Sequence, residues 1–346
     1  MEYVGIDLGA RQSHCARITE DGEIRHQRFP TTCAGLEKLF EGRGSSKVLV
    51  EASGRSEWVA RWLEGRGHQV VVADPNYQPM YGQRTRRSKT DRRDAEALAL
   101  ACAKGHYRPA HRLSDEARLL RARVKVRKVL VRSRAKAVVV VRALLVPVGV
   151  EISSCSPEGF PKRFANTQVP EDLRPLLEPL VRTIEQLTVE IGKVDWQLEK
   201  LGKNDQEMQI LMTMPGVGPV TAATWIGTLD NARRFKNAGE LVSFLGLVPQ
   251  EWSSSDVRYL GRITKAGPTE LRDLLVEAAW NVMIRPSPEM QALRTWALEV
   301  ARRRGRLKAV VALARHMAQV LYAMWRGNVP FDGRVPPRAT AASAHA

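Results

Sequence analysis

Four carboxylates in this chain occur where the surrounding sequence can bring them to one point. Asp7 ends the run Tyr3-Val4-Gly5-Ile6, and Glu51 ends Val48-Leu49-Val50. Asp91 and Asp94 stand three apart at the head of an alanine-rich stretch that reads as a helix. Residues i and i+3 share a helix face, so two strand-end acids and two helix acids can converge. Like charges ~4 Å apart repel by about 4 kcal/mol at an effective dielectric of ~20. A divalent cation removes that repulsion, and hard oxygen ligands select Mg²⁺ or Mn²⁺. A pair of such ions clamps both oxygens of an in-line phosphoryl transfer. Taken singly, each acid reads as a turn cap or a surface helix residue; the four in this order read as a metal site.

The charge balance points to the same substrate class. The 346 residues carry 54 Lys and Arg against 37 Asp and Glu, a net charge of +17. Such an excess fits a polyanion partner, most simply nucleic acid. Cys15, Cys33, Cys102 and Cys155 are scattered, with no Cys-x-x-Cys pair. They read as reduced thiols of a cytoplasmic protein, not as a zinc site or disulfide frame. The N-terminus reads as a strand, no signal peptide is expected, and no apolar run reaches membrane-spanning length.

The elements that must position the acids follow from hydrophobic patterning. Strands are expected over residues 3–9, 13–19, 24–29, 47–51 and 69–73, with a hairpin turn at Glu20-Asp21-Gly22-Glu23. Helices are expected near 36–40 and 58–63, and from Asp91 onward. The resulting order, βββαβαβα, is that of the ribonuclease H and RuvC superfamily, which these acids resemble in placement. Between the fifth strand and the acidic helix, Arg84, Arg86, Arg87 and Lys89 form a cation-dense segment suited to phosphates near the cut.

Beyond residue 112 the sequence reads as mostly helical. No Gly or Pro interrupts the stretch from Leu113 to Val146, and Ser114-Asp115-Glu116 supplies an N-cap and an acidic first turn. Its many cations, among them Arg123, Arg127 and Arg134, suit a nucleic-acid backbone, without aromatics for base stacking. Residues 151–175 are Pro- and Ser-rich and read as a linker. Leu180, Ile184, Leu187, Ile191, Val194, Leu198 and Leu201 then recur at alternating spacings of four and three. That heptad seam fits a helix pair within the chain or a zipper between two chains, with Pro179 near its first turn. Pro215-Gly216-Val217-Gly218 opens a helix as a turn that either grips a phosphate or is purely structural. The remainder is expected to be all helical.

Jointly these motifs resemble one family over nearly the whole chain: the DEDD transposases of the insertion-sequence one-ten family, also known as Piv/MooV-type invertases. Gly5-Ile6-Asp7, Glu51-Ala52-Ser53-Gly54 and Lys89-Thr90-Asp91-x-x-Asp94-Ala95 resemble its RuvC-like nuclease half. Pro215-Gly216-Val217-Gly218, Gly246-Leu247-Val248-Pro249, Ile263-Thr264-Lys265-Ala266-Gly267 and Leu274-Leu275-Val276-Glu277-Ala278-Ala279 resemble its C-terminal half, and Val329-Pro330-Phe331-Asp332 its ending. The resemblance implies metal-binding acids that cooperate with a serine nucleophile. It also implies donor and target DNA, an element-encoded structured RNA as guide, and dimers that pair into tetramers.

The family pattern around the nucleophile is an aromatic residue, a variable residue, then Ser-Gly. Trp252-Ser253-Ser254 aligns with it and implies Ser254, but Ser255 stands where the glycine is expected, so Ser253 stays open as the nucleophile. The expected organisation is a RuvC-like α/β nuclease domain over 1–112, a basic helix and coiled-coil region over 113–205, a mainly α serine-bearing domain over 206–332, and a disordered tail over 333–346. The expected activity is DNA strand cleavage and rejoining. The alternatives are a hydrolytic junction nuclease that uses only the four acids, and a binding protein with no catalysis.

Overall fold

The computed structural model describes residues 2–19, 21–81, 90–254 and 257–333. The side chains of Tyr81, Ser253, Ser254, Val257 and Arg258 also lie outside the described set. So do Arg84, Arg86, Arg87 and Lys89, proposed above to hold phosphates, together with Ser255 and the tail from 334. The chain divides into two compact units, Met1–Arg112 and Leu113–Ala346.

The first unit is built on five strands: β1 (Glu2–Asp7), β2 (Gln12–Ile18), β3 (Ile24–Pro30), β4 (Ser46–Glu51) and β5 (Gln69–Ala73). They lie in the order β3-β2-β1-β4-β5. β1, β2 and β3 form an antiparallel meander, and β4 and β5 join β1 in parallel. Helices α1 (Cys33–Phe40) and α2 (Ser56–Glu64) supply the crossovers, and α3 (Asp91–Lys104) follows β5. Strand residues alternate between faces. Val4, Ile6, Val48 and Val50 therefore meet Leu36, Leu39, Val59 and Leu63 of α1 and α2 on one side. Leu49 meets Leu98 and Cys102 of α3 on the other. Burial pushes the Cys15 thiol up to about 12 and the Cys102 thiol up to about 11. Cys33 is exposed and all four cysteines are free thiols.

The α3 face has an unusually close contact. A Cβ on Gly5 would lie 2.2 Å from the Ala99 nitrogen and 2.3 Å from the Ala95 oxygen. Only a residue without a side chain lets the helix backbone rest on β1, and Ala95 and Ala99, both fully buried, present the matching small surface.

The second unit opens with α4 (Asp115–Leu145), whose N-cap Ser114 accepts from the Ala117 amide. A short helix α5 (Phe160–Ala165) then leads to α6 (Arg174–Asn204). Residues 151–175 are thus not a bare linker: Ile152, Phe160, Phe164 and Val169 are core residues. α6 starts before Pro179, which lies inside the helix. Pro175 occupies its first turn, where a missing N–H costs nothing. Leu120 and Val124 share a core with Leu198, while Val141 and Leu145 share one with Leu177 and Ile184. α4 and α6 therefore run antiparallel, and the seam residues Ile184, Ile191 and Leu198 are buried within this one chain.

The rest of the unit comprises α7 (Gln206–Met212), α8 (Pro219–Leu229), α9 (Ala238–Phe244), the strands β6 (Pro249–Ser254) and β7 (Val257–Ile263), and α10 (Thr269–Ile284), α11 (Gln291–Arg304) and α12 (Arg306–Gly327). The paired strands β6 and β7 correct the expectation of an all-helical region. Trp252, Tyr259 and Val257 have the aromatic and β-branched side chains that favour strands. The core centres on Trp225, 1 % exposed, with Trp325 edge-on to it at 6.1 Å. Among the described residues no helix is long and apolar enough to cross a membrane.

Gly5→Ala is expected to lower the stability of the first unit by ~3 kcal/mol, at the top of the range for overpacked sites. Urea denaturation followed by circular dichroism measures it, and an unchanged midpoint would refute the contact between β1 and α3.

Candidate active site and nucleic-acid interface

β1 and β4 pair in parallel with Ile6 opposite Val50, so the next residues, Asp7 and Glu51, end neighbouring strands side by side. Strand neighbours lie ~4.8 Å apart. Asp7 is two residues beyond Gly5, and Glu51 two beyond Leu49, so alternation puts both acids on the α3 face. α3 runs against the direction of these strands. The thiol of Cys102, near its C-terminus, donates to the carbonyl of Lys47 at 3.4 Å, near the start of β4, and its middle lies on Gly5. Its first turn is thereby carried toward the ends of β1 and β4. That turn bears Asp91, exposed, and Asp94, only 4 % exposed. Thr90 caps the helix by accepting from the Arg93 amide. Acids in a first helical turn are favoured by the backbone dipole.

The four acids are thus contributed by three elements that meet on one face. Among the described residues no group of three or more His, Cys, Asp or Glu lies close enough together to hold a metal ion. By donor chemistry alone, these side chains offer only hard oxygens, the ligand type that Mg²⁺ and Mn²⁺ take.

In the second unit Ser254 is the last residue of β6, paired with Val257 of β7. The base of this hairpin is tightly constrained. A Cβ on Gly246 would lie 2.1 Å from the Ala266 oxygen, and one on Gly267 1.9 Å from the Phe244 oxygen; both glycines have positive φ. The Thr264 amide donates to Val248 and the Lys265 amide to Gly246. Arg272 of α10, 7 % exposed, donates to the carbonyls of Leu245 at 3.0 Å and Ala266 at 3.3 Å. Sequence reading missed Arg272, since in so basic a chain one more arginine reads as surface. Nothing local sets it apart, because the same helix also carries Glu270, Asp273 and Glu277. Outside the base, Trp252 and Tyr259 pair across the strands at 5.9 Å and are 58 % and 63 % exposed.

The basic residues sort differently from the sequence expectation. Arg134 is 7 % exposed, pairs with Glu158 at 2.7 Å and donates to the Thr188 hydroxyl at 3.2 Å. Arg127 pairs with Asp195 of α6, and Lys128 with Glu270 at 3.0 Å. These cations tie α4 to its neighbours in the same chain. Arg123 is half-buried, and Arg121, Lys125, Arg132 and Lys136 are exposed. At the turn before α8, Met214 and Val217 are buried in the core, while Gly218 is exposed.

Residues 4–149 match a family profile described as a transposase, of the DEDD IS110 type. Residues 208–295 match the transposase family IS116/IS110/IS902. A probable family 20 transposase of Pseudomonas aeruginosa is 28 % identical over 333 residues, covering 94 % of this chain and 96 % of that protein. The transposase for insertion sequence element IS1111A of Coxiella burnetii is 24 % identical, over 94 % and 89 %. A pilin gene-inverting protein of Moraxella lacunata is 23 % identical, over 96 % and 98 %.

The sorting of the cations is testable. Arg134→Met should cost about 1.5–3 kcal/mol of stability, the range for hydrogen bonds made by a charged group, and leave the salt dependence of DNA binding unchanged. Arg121→Glu with Lys125→Glu should do the reverse. Thermal unfolding and fluorescence anisotropy titrations over a range of NaCl concentrations distinguish the two.

Proposed function

Because this chain belongs to the DEDD transposases of the IS110 family, we propose that it cleaves and rejoins DNA through a serine, with Asp7, Glu51, Asp91 and Asp94 holding Mg²⁺ or Mn²⁺. The observation that carries this reading is the placement of Asp7 and Glu51 at adjacent strand ends, under the face that receives the acidic turn of α3. Held there, a divalent ion would stabilise charge on the phosphoryl oxygens and make the attacking hydroxyl more acidic.

The nucleophile is Ser254, with Ser253 as the alternative. The serine oxygen attacks phosphorus, one ester oxygen of the strand leaves as a hydroxyl, and a phosphoserine ester remains. A hydroxyl of a second strand then attacks that ester, restores a phosphodiester and frees the serine. One bond is exchanged for an equivalent one at each step, so rejoining needs no external energy, as in other covalent mechanisms. The constrained hairpin base supports this role, since a nucleophile works best on a rigid mount. Donor and target DNA, and an element-encoded structured RNA, are the partners that the basic surplus of the chain suits. A dimer pairing into a tetramer is the proposed assembly.

Asp7→Asn, Glu51→Gln, Asp91→Asn and Asp94→Asn each remove charge at little cost in volume, and each should abolish cleavage in Mg²⁺ while DNA binding persists. Ser254→Ala should give no protein–DNA adduct on denaturing electrophoresis of a labelled nicked substrate. Mass spectrometry of the wild-type adduct identifies Ser254 or Ser253. Efficient cutting with no adduct in the wild type would establish hydrolysis instead, and binding with no cutting in any metal would remove the catalytic reading.

A further inference from the structure

The row that begins with Glu51 and Asp7 does not stop at β1. Asp7 pairs with His14 of β2, and His14 pairs with Arg28 of β3. Cross-strand partners share a face, so Glu51, Asp7, His14 and Arg28 line one level of the sheet out to its edge. The face is fixed independently. Ala16, two residues from His14, is buried against Ala95 and Ala99 of α3, with Ile18 and Ile24 beside them. His14 and Arg28 are therefore on the α3 side. Here α3 contributes a second cation. The charge of Arg92 acts on His26 and, with burial as the largest cause, holds its pKa below the ordinary histidine value; His14 acts on it too. The one acid in this group, Glu96, already lies 3.3 Å from the imidazole of His26. Arg28 and Arg92 are both exposed.

We propose that Arg28 and Arg92, with His14 between Arg28 and Asp7, form a phosphate-binding lane that holds the DNA backbone as it runs from the acid site to the β3 edge. β3 is two strands from β1, ~10 Å away. Successive phosphates of one strand lie farther apart than the axial rise of ~3.4 Å, so Arg28 meets a phosphate about one or two nucleotides from the one at the acids. A guanidinium takes two phosphate oxygens in a planar fork, and such contacts fix register without reading sequence. The lane rests on the proposed cleavage reading for its purpose, but its existence is a matter of binding alone.

The test measures affinity of the full chain for a short fluorescein-labelled DNA duplex, without metal, as a function of NaCl. Each phosphate contact contributes ~0.9 to the slope of log K against log salt. Arg28→Ala and Arg92→Ala should each lower the slope by ~0.9, and the double variant by ~1.8, while Arg28→Lys keeps the wild-type slope. Lys38→Ala removes the same charge from exposed α1, whose core residues pack on the opposite sheet face, and should leave the slope unchanged. Circular dichroism melts confirm that each variant is folded. Slopes for Arg28→Ala and Arg92→Ala no lower than that for Lys38→Ala overturn the lane. A protein that shows these slopes but never cuts DNA keeps the lane and loses the catalytic reading. A protein that cuts with unchanged slopes does the opposite.

Discussion

The first unit depends on the absence of one carbon atom. Where β1 passes under α3, the helix backbone occupies the space that any side chain at position 5 would need. This contact sets the height of α3 above the sheet, and with the pairing of Ala95 and Ala99 it sets the helix's rotation. Height and rotation together decide where the first turn of α3, and hence Asp94, comes to rest. A strand-end carboxylate is easy to supply by sequence alone. Bringing a helix carboxylate to it requires the close approach that Gly5 permits.

Much of this was legible because strands announce themselves by alternation and length. The runs of β1, β4 and β5 are short and mostly apolar, β2 and β3 flank the hairpin turn at Asp21-Gly22, and parallel pairing of β1 with β4 makes Asp7 and Glu51 neighbours. What was not legible depends on partners far along the chain. Arg134 looks like its neighbours in a basic stretch, and only the return of α6 and Glu158 shows it as buried. Pro179 reads as part of a first turn because proline is common there, yet α6 carries it in its second turn and begins at Arg174, with Pro175 in the first turn. The hairpin of β6 and β7 was missed because Pro249-Gln250-Glu251-Trp252 and Tyr259-Leu260-Gly261-Arg262 mix polar, charged and aromatic residues without clean apolar alternation.

The second unit uses cations as internal ties more than the composition suggests. Arg127, Lys128 and Arg134 bridge α4 to other elements, and Arg272 holds the hairpin base through backbone carbonyls. A buried arginine bonded in this way fixes geometry at the cost of desolvation. The net charge therefore overstates the cations open to a nucleic acid. The surface that remains on α4, at Arg121, Lys125, Arg132 and Lys136, is narrower than the sequence alone implies.

The disposition of the four thiols bears on how the protein behaves once outside a reducing buffer. Disulfide exchange and alkylation both proceed through the thiolate, and at neutral pH Cys15 and Cys102, buried and with raised pKa values, offer almost none. Cys33, exposed at the start of α1, is the most open of the four to air oxidation, ahead of the half-buried Cys155. A covalent dimer on a non-reducing gel that disappears in Cys33→Ser is then a storage artefact and says nothing about native assembly. The same asymmetry makes Cys33 a ready attachment point for a fluorophore, on a helix that packs against the sheet from the side away from the acids.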